Sequence, residues 1–288
     1  MLGVSDKDWI IELLSDSGEA LLPGGDTDLY SVYFGFGHHV RLRDQPGVFK
    51  VSLAGQALGA QLLRNVSSYE LTGRSLDMGT GSGALALLLR SMGACDVTAT
   101  DLSSQAIALA RQNELLNFPE PCIAFSESNL FREIPHETRF DVIAFNPPGW
   151  RSPSNRLLAG LEKAACDEEI GLDAMFYGDE VLLEFLLHLP QRLHPRGRAI
   201  VGLNSMVGIR EVLDRYRAVC DGVPPLRFRL LERHSLPFLF YTPAWKRAEQ
   251  VLREEFHVWR ERYGAAYTTD SRGRMYWSYE VVECRLVP

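Results

Sequence analysis

Apolar positions recur along the chain in two rhythms. Residues 5–21 carry Trp9, Ile10, Leu13 and Leu14 at helical spacing. Ser5 and Asp8 stand in a capping-box arrangement, and Pro23-Gly24-Gly25 supplies a stop, so this stretch predicts a first helix. An aromatic run follows, Tyr30, Tyr33, Phe34 and Phe36, and then His38 and His39. Residues 40–42 and 48–51 predict short strands around a turn at Gln45-Pro46-Gly47, and 52–66 predicts a helix with Leu53, Leu58, Leu62 and Leu63 inward. From residue 75 onward, strand and helix alternate. Strands are expected at 75–78, 97–100, 123–126, 140–145, 199–203, 226–232 and 275–286. Helices are expected at 83–92, 104–116, 179–193, 206–219 and 243–263. This alternation predicts an α/β fold, a mostly parallel sheet covered on both faces.

The chemistry concentrates where strands end. Leu76-Asp77-Met78-Gly79-Thr80-Gly81-Ser82-Gly83 joins the first of these strands to its helix. Glycines there let the backbone turn sharply and let a ligand come close. In an open α/β sheet, ligands bind beyond the carboxyl ends of the strands at the point where the strand order reverses. A G-x-G-x-G turn alone also suits a dinucleotide. Asp77 changes that reading, because a carboxylate before the glycines repels pyrophosphate and pairs with an ammonium group. Asp101 ends the next strand, where an acid can grip a ribose diol. Asn146-Pro147-Pro148 ends the fourth, and a nucleotide-dependent dehydrogenase has no use for it.

These segments, together with A-T-D-L-S, A-R-Q-N, S-N-L-F and F-D-V-I-A-F-N-P-P, resemble the class I S-adenosylmethionine (SAM)-dependent methyltransferases. Within that family the chain is similar to the N-P-P-Y subgroup, which alkylates amino or amide nitrogens. The resemblance covers residues 49–148 well and continues more weakly through P-R-G-R-A-I-V-G-L. It implies a Rossmann-like methyltransferase fold with a mostly parallel, seven-stranded sheet and helices on both faces. Residues 49–288 would form the SAM-binding catalytic domain, and residues 1–48 a short helical and aromatic lid. By the same resemblance, Asp77, Gly79, Thr80, Gly81 and Gly83 would hold the methionine part of SAM. Asp101 would take the ribose hydroxyls, and Leu102 would lie against the adenine. Asn129, with Leu130 beside it, stands where relatives often carry an Asp on the adenine amino group; an Asn carbonyl can accept the same bond. Asn146, with Pro147, would accept a hydrogen bond from the reacting nitrogen and aim its lone pair at the methyl carbon. Alignment of this kind carries most of the catalysis.

The subgroup's pattern puts an aromatic directly after the two prolines. This chain has Gly149 and then Trp150. The space left by Gly149 stays open unless Trp150 swings into it. Pro148, Trp150, Phe176, Tyr30, Tyr33, Phe34 and Phe36 are the candidate acceptor-side residues, the aromatics forming a wall around the sulfonium cation. Tyr177 is a candidate to assist the amine. The favoured activity is N-methylation of a small acceptor in secondary metabolism. A second reading makes SAM the sole substrate: its α-amine attacks Cγ, methylthioadenosine leaves, and an azetidine-2-carboxylate ring forms. A protein or RNA N-methyltransferase and a non-catalytic SAM-binding module are the remaining readings. His38 and His39 read as exposed or structurally bonded.

Composition narrows this further. Among the 288 residues, 30 basic against 37 acidic side chains leave a formal charge of −7, which weighs against a large nucleic-acid partner. No apolar run reaches the ~18 residues a membrane span needs, and the amino terminus lacks the pattern of a signal peptide, so the cytoplasm is the expected compartment. The five cysteines show no C-x-x-C spacing, and no metal site is expected. Oligomeric state leaves no mark on the sequence.

Overall fold

Strand-to-strand order places the site. The computed structural model describes residues 28–165, 175–239 and 243–287. The helix expected over 5–21 lies outside them. β3 (Arg74–Met78), β4 (Asp96–Asp101), β5 (Ala124–Glu127), β6 (Phe140–Phe145), β7 (Leu193–Asn204), β8 (Leu226–Pro237) and β10 (Met275–Leu286) line up as β5-β4-β3-β6-β7-β10-β8, and β9 (Tyr267–Thr269) pairs with β10. The first five pair in parallel. β10 is antiparallel to both β7 and β8. The order reverses at β3, which has β4 on one side and β6 on the other. The expected crevice therefore opens at the carboxyl ends of β3, β4 and β6.

Helices cover both faces. α1 (Leu53–Asn65), capped by Ser52, and α2 (Ala84–Ser91) bury Leu58, Leu62 and the run Ala84 to Leu89 against one face. α3 (Ser104–Asn117) is capped by Ser103. On the other face α5 (Gly178–Arg192) buries Leu182, Phe185, Leu186 and Leu189, and α6 (Ile209–Val219) adds Val212 and Tyr216. Burial of apolar surface at about 25 cal/mol per Å² is what holds such layers together.

Three expectations change. The aromatic run folds as a hairpin, β1 (Leu29–Gly35) with β2 (His38–Arg43), whose alternate residues Val32, Phe34, Val40 and Leu42 are buried against the helices. The described part of the 1–48 segment is thus a two-stranded layer fastened to α1, α2 and α3. Residues 48–51 form no strand. The single helix expected over 243–263 is two, α7 (Pro243–Arg247) and α8 (Glu249–Tyr263). With α4 (Asn155–Ala165), which the sequence pattern did not reveal, they enclose a third apolar cluster around Trp150, Phe176, Trp245, Phe256 and Trp259. Among the described residues, no helix is long and apolar enough to cross a membrane.

Candidate active site

The Gly-rich loop leaves β3 through three left-handed residues, Gly79, Gly81 and Gly83, with φ of +64°, +53° and +88°. A side chain at Gly83 would crowd Ala110 of α3, whereas Gly81 faces open space. Asp77 lies beneath the loop, 1% exposed. Its Oδ2 accepts from Thr80 Oγ1 at 2.6 Å and from the Ala86 amide at 2.9 Å. Its Oδ1 is buried with no hydrogen-bond partner among the described residues. Burial pushes this carboxyl up to about 7, against the pull of those two donors. A buried carboxylate oxygen without a donor suits an ammonium group.

At the end of β4, Asp101 Oδ2 accepts from the Gly81 amide at 2.8 Å, and Oδ1 accepts from the Ser103 amide at 2.9 Å. Burial raises this carboxyl too. Leu102 beside it is 58% exposed, an apolar platform next to that carboxyl. The Ser128 amide donates to the Asp101 carbonyl at 2.8 Å and brings the exposed Asn129 to the same rim. Leu130 is different: with φ +50° it turns its side chain into the second apolar cluster, so only its backbone faces the rim. These residues fit the cofactor that the motifs imply.

At the end of β6, Asn146, Pro147, Pro148 and Gly149 are half-buried. Asn146 Oδ1 accepts from the hydroxyl of Tyr279 on β10 at 2.7 Å. Burial pushes the Tyr279 hydroxyl far up, so it stays protonated and remains a donor. Trp150 does not swing into the space left by Gly149. It is 4% exposed, stacked on Phe238 with ring centroids 5.3 Å apart and edge-on to Phe176, Trp245 and Phe256. Arg151, next in the chain, is itself anchored. That buried guanidinium pairs with Asp179 at 3.0 Å and Glu211 at 2.8 Å, and donates to the Val207 carbonyl at 2.6 Å. The space carries the carboxamide of Asn204 instead: a Cβ on Gly149 would overlap Asn204 Nδ2.

The aromatic wall is not assembled. Phe34 packs between Gly59 and Leu88 in the core. Phe176 is fully buried in the third cluster. Tyr33 and Phe36 are 64% and 77% exposed at the hairpin tip. His38 at that tip bonds Ser91, the last residue of α2, whereas the Gly-rich loop precedes the first. An α-helix rises about 1.5 Å per residue, so α2 separates the tip from the loop by about 12 Å. Tyr30 alone reaches the loop region: its hydroxyl meets Ser82 and accepts from the Val51 amide at 3.3 Å. Tyr177 sits beside the N-P-P segment, 37% exposed and left-handed at φ +65°. The Gly178 amide that follows it donates to the Trp150 carbonyl at 2.7 Å. Sequence reasoning missed Tyr279 and Asn204. Neither lies in a motif, and only strand register brings them in.

Comparison with known proteins agrees with this geometry. Residues 39–157 match the family model of the methyltransferase small domain. A Methanocaldococcus jannaschii protein assigned as a protein N5-glutamine methyltransferase is 29% identical over 175 residues, 59% of this chain and 80% of that one. The release factor glutamine methyltransferase of Deinococcus radiodurans is 36% identical over 113 residues, and that of Fusobacterium nucleatum 37% identical over 89. The chain spans only 36% and 24% of the length of those two. A SAM-dependent methyltransferase structure from Streptococcus mutans aligns with a TM-score of 0.50 at 13% identity, over 91% of this chain and 57% of that one, a likeness of fold. The relatives' names concern protein glutamine, and none speaks for a small acceptor in secondary metabolism or for ring closure of SAM. Motifs, sheet order and matched segment coincide: the chain is similar to the SAM-dependent methyltransferases of the N-P-P-Y type, and its strand-end residues fit S-adenosylmethionine as methyl donor.

Proposed function

We propose that this enzyme methylates the side-chain carboxamide nitrogen of glutamine in a protein. The observation that carries this reading is Asn146, whose Oδ1 is held by Tyr279 at the mouth of β6. The names of the relatives supply the acceptor class. SAM supplies a sulfonium methyl already activated for transfer. The chain's own residues bind and align. Asp77, with its unpaired Oδ1, and the loop from Gly79 through Thr80 and Gly81 to Gly83 hold the amino-acid end. Asp101 takes the ribose hydroxyls, and Leu102 and Asn129 flank the adenine. Asn146 accepts an N–H of the acceptor, and Pro147 and Pro148 keep the backbone extended beside it. A nitrogen held in this way presents its electrons to the methyl carbon at near-attack distance, and such positioning supplies about 7–11 kcal/mol of a barrier. Tyr177 lines the approach. We place residues 49–288 in one catalytic domain working in the cytoplasm.

The test is methyl transfer from methyl-labelled SAM to a peptide containing glutamine, read by mass spectrometry. Gain of one methyl on the glutamine side chain is the expected result. Transfer only to small amines, or release of methylthioadenosine from SAM alone, would show that the acceptor is not a carboxamide.

A further inference from the structure

Asn146, Asn204 and Tyr279 come from three neighbouring strands. Tyr279 and Asn204 are directly paired across β10 and β7, so their side chains stand on the same face of the sheet. Gly202, two residues before Asn204, shares that face. A Cβ on Gly202 would overlap the phenol of Tyr279. The missing side chain opens a lane across β7, and through it the Tyr279 hydroxyl reaches Asn146 on β6. Tyr279 is 1% exposed, and Asn146 is its sole hydrogen-bond partner among the described residues.

Asn204 is 8% exposed. Its Oδ1 is occupied by the Met206 amide at 2.9 Å, which decides how the carboxamide faces. The opposite end, Nδ2, points at Gly149 and has no hydrogen-bond partner among the described residues. An unpaired amide donor at this position is free to meet an acceptor that enters the crevice. The donor stands where the aromatic of the N-P-P-Y pattern would begin.

We propose that Asn204 and Tyr279 turn the acceptor site of this chain from a stacking site into a hydrogen-bonding site for a carboxamide. Asn204 Nδ2 donates to the acceptor's carbonyl oxygen. Tyr279 fixes Asn146 so that the second lone pair of its Oδ1 accepts from the acceptor's nitrogen. A carboxamide offers both partners side by side, whereas an amine has no oxygen for Asn204. In the transfer, the nitrogen forms its bond to the methyl carbon, the carbon–sulfur electron pair stays on sulfur, and the displaced N–H proton goes to water. Asn204 is a specificity-determining residue and Tyr279 a positioning residue. The inference rests on the carboxamide reading above and adds the residues that enforce it.

The experiment compares a glutamine peptide with its ornithine counterpart, an amine of similar reach, using the full chain and SAM. The wild type should favour glutamine by about a hundredfold, since a site built around a hydrogen bond rejects a ligand that cannot make it. Asn204→Asp keeps the Met206 contact and replaces the donor by an acceptor that suits an ammonium group. It should raise KM for the glutamine peptide at least tenfold and move the preference toward ornithine, with SAM affinity unchanged. Tyr279→Phe should lower kcat about tenfold with little change in KM. A purely structural Asn204 would leave the glutamine-to-ornithine ratio within about twofold, and that result would overturn the proposal. A binding measurement separates this outcome from failure of the underlying reading. N-acetylglutamine amide, added to the protein saturated with S-adenosylhomocysteine, should shift the NMR signals of the Asn204 side-chain NH2. Ornithine methylated in place of glutamine refutes the carboxamide reading, and an unmoved Asn204 signal refutes the role of Asn204.

Discussion

The half of the sheet we assign to the cofactor and the half we assign to the acceptor are built on different plans. At the ends of β3 and β4 the polar groups hold one another over short stretches of chain: Asp77 with Thr80 and Ala86, Asp101 with Ser103 and Gly81. At the ends of β6 and β7 the partners are distant in sequence. Asn146 and Tyr279 are 133 residues apart and meet only because β10 returns antiparallel beside β7. The cofactor half survives as a readable motif because its geometry is local. The acceptor half depends on register, and a one-residue slip would turn Tyr279 to the opposite face.

That contrast can be broken or sharpened by experiment. The largest effect should come from Trp150→Ala, which empties a stacked position in the third cluster and should cost about 3–5 kcal/mol of unfolding free energy. Urea titration measures it, and SAM affinity of the still-folded protein at low temperature should be near normal. Weakened SAM binding in that state would show that the two halves are not separable.

Asn146→Ala should reduce turnover about 100- to 1000-fold while leaving SAM affinity within about twofold. Calorimetry of SAM binding beside steady-state transfer reads both numbers, and a variant that loses SAM affinity instead would move Asn146 into the cofactor half.

Asp77 gives a pH signature. Its folded value, about 7, lies above the unfolded one, so the folded state holds the proton more tightly. Its contribution to stability is complete below about pH 4 and is lost as pH rises through 7, on the order of 4 kcal/mol in all. Asp77→Asn should flatten that slope in thermal unfolding of the SAM-free protein. Conversely, an ammonium group brought to Oδ1 pulls the carboxyl down, so wild-type SAM binding near pH 6 should release a proton. Calorimetry in buffers of different ionisation enthalpy detects it, and binding without proton release would place the ammonium elsewhere.

Asp101→Ala should weaken SAM by about 1–3 kcal/mol through lost hydrogen bonds, with kcat at saturating SAM little changed. A fall in saturated kcat instead would tie Asp101 to the acceptor half. Smallest of all, Tyr33→Ala and Phe36→Ala should leave both SAM affinity and turnover near wild type, because both side chains face solvent at the hairpin tip. A marked loss of turnover in either would return the hairpin aromatics to the site.

The sequence by itself determined the strand–helix alternation, the ends of β6 and β10, the Gly-rich turn and the three strand-end residues Asp77, Asp101 and Asn146. Each rests on short-range chemistry: apolar periodicity, glycine's access to positive φ, and a polar group placed next to a turn. Only the tertiary structure decided the fate of the aromatics. Composition cannot tell a cage from a core, and Trp150 and Phe176 entered a core because α4, α7 and α8 close over them. Likewise, Tyr30, Tyr33, Phe34 and Phe36 were split between inside and outside by the two-residue alternation of a hairpin. The acceptor side was decided last and at longest range. Gly149 and Gly202 are simple gaps in the sequence, and they acquire meaning only when register sets Asn204 in one and Tyr279 in the other.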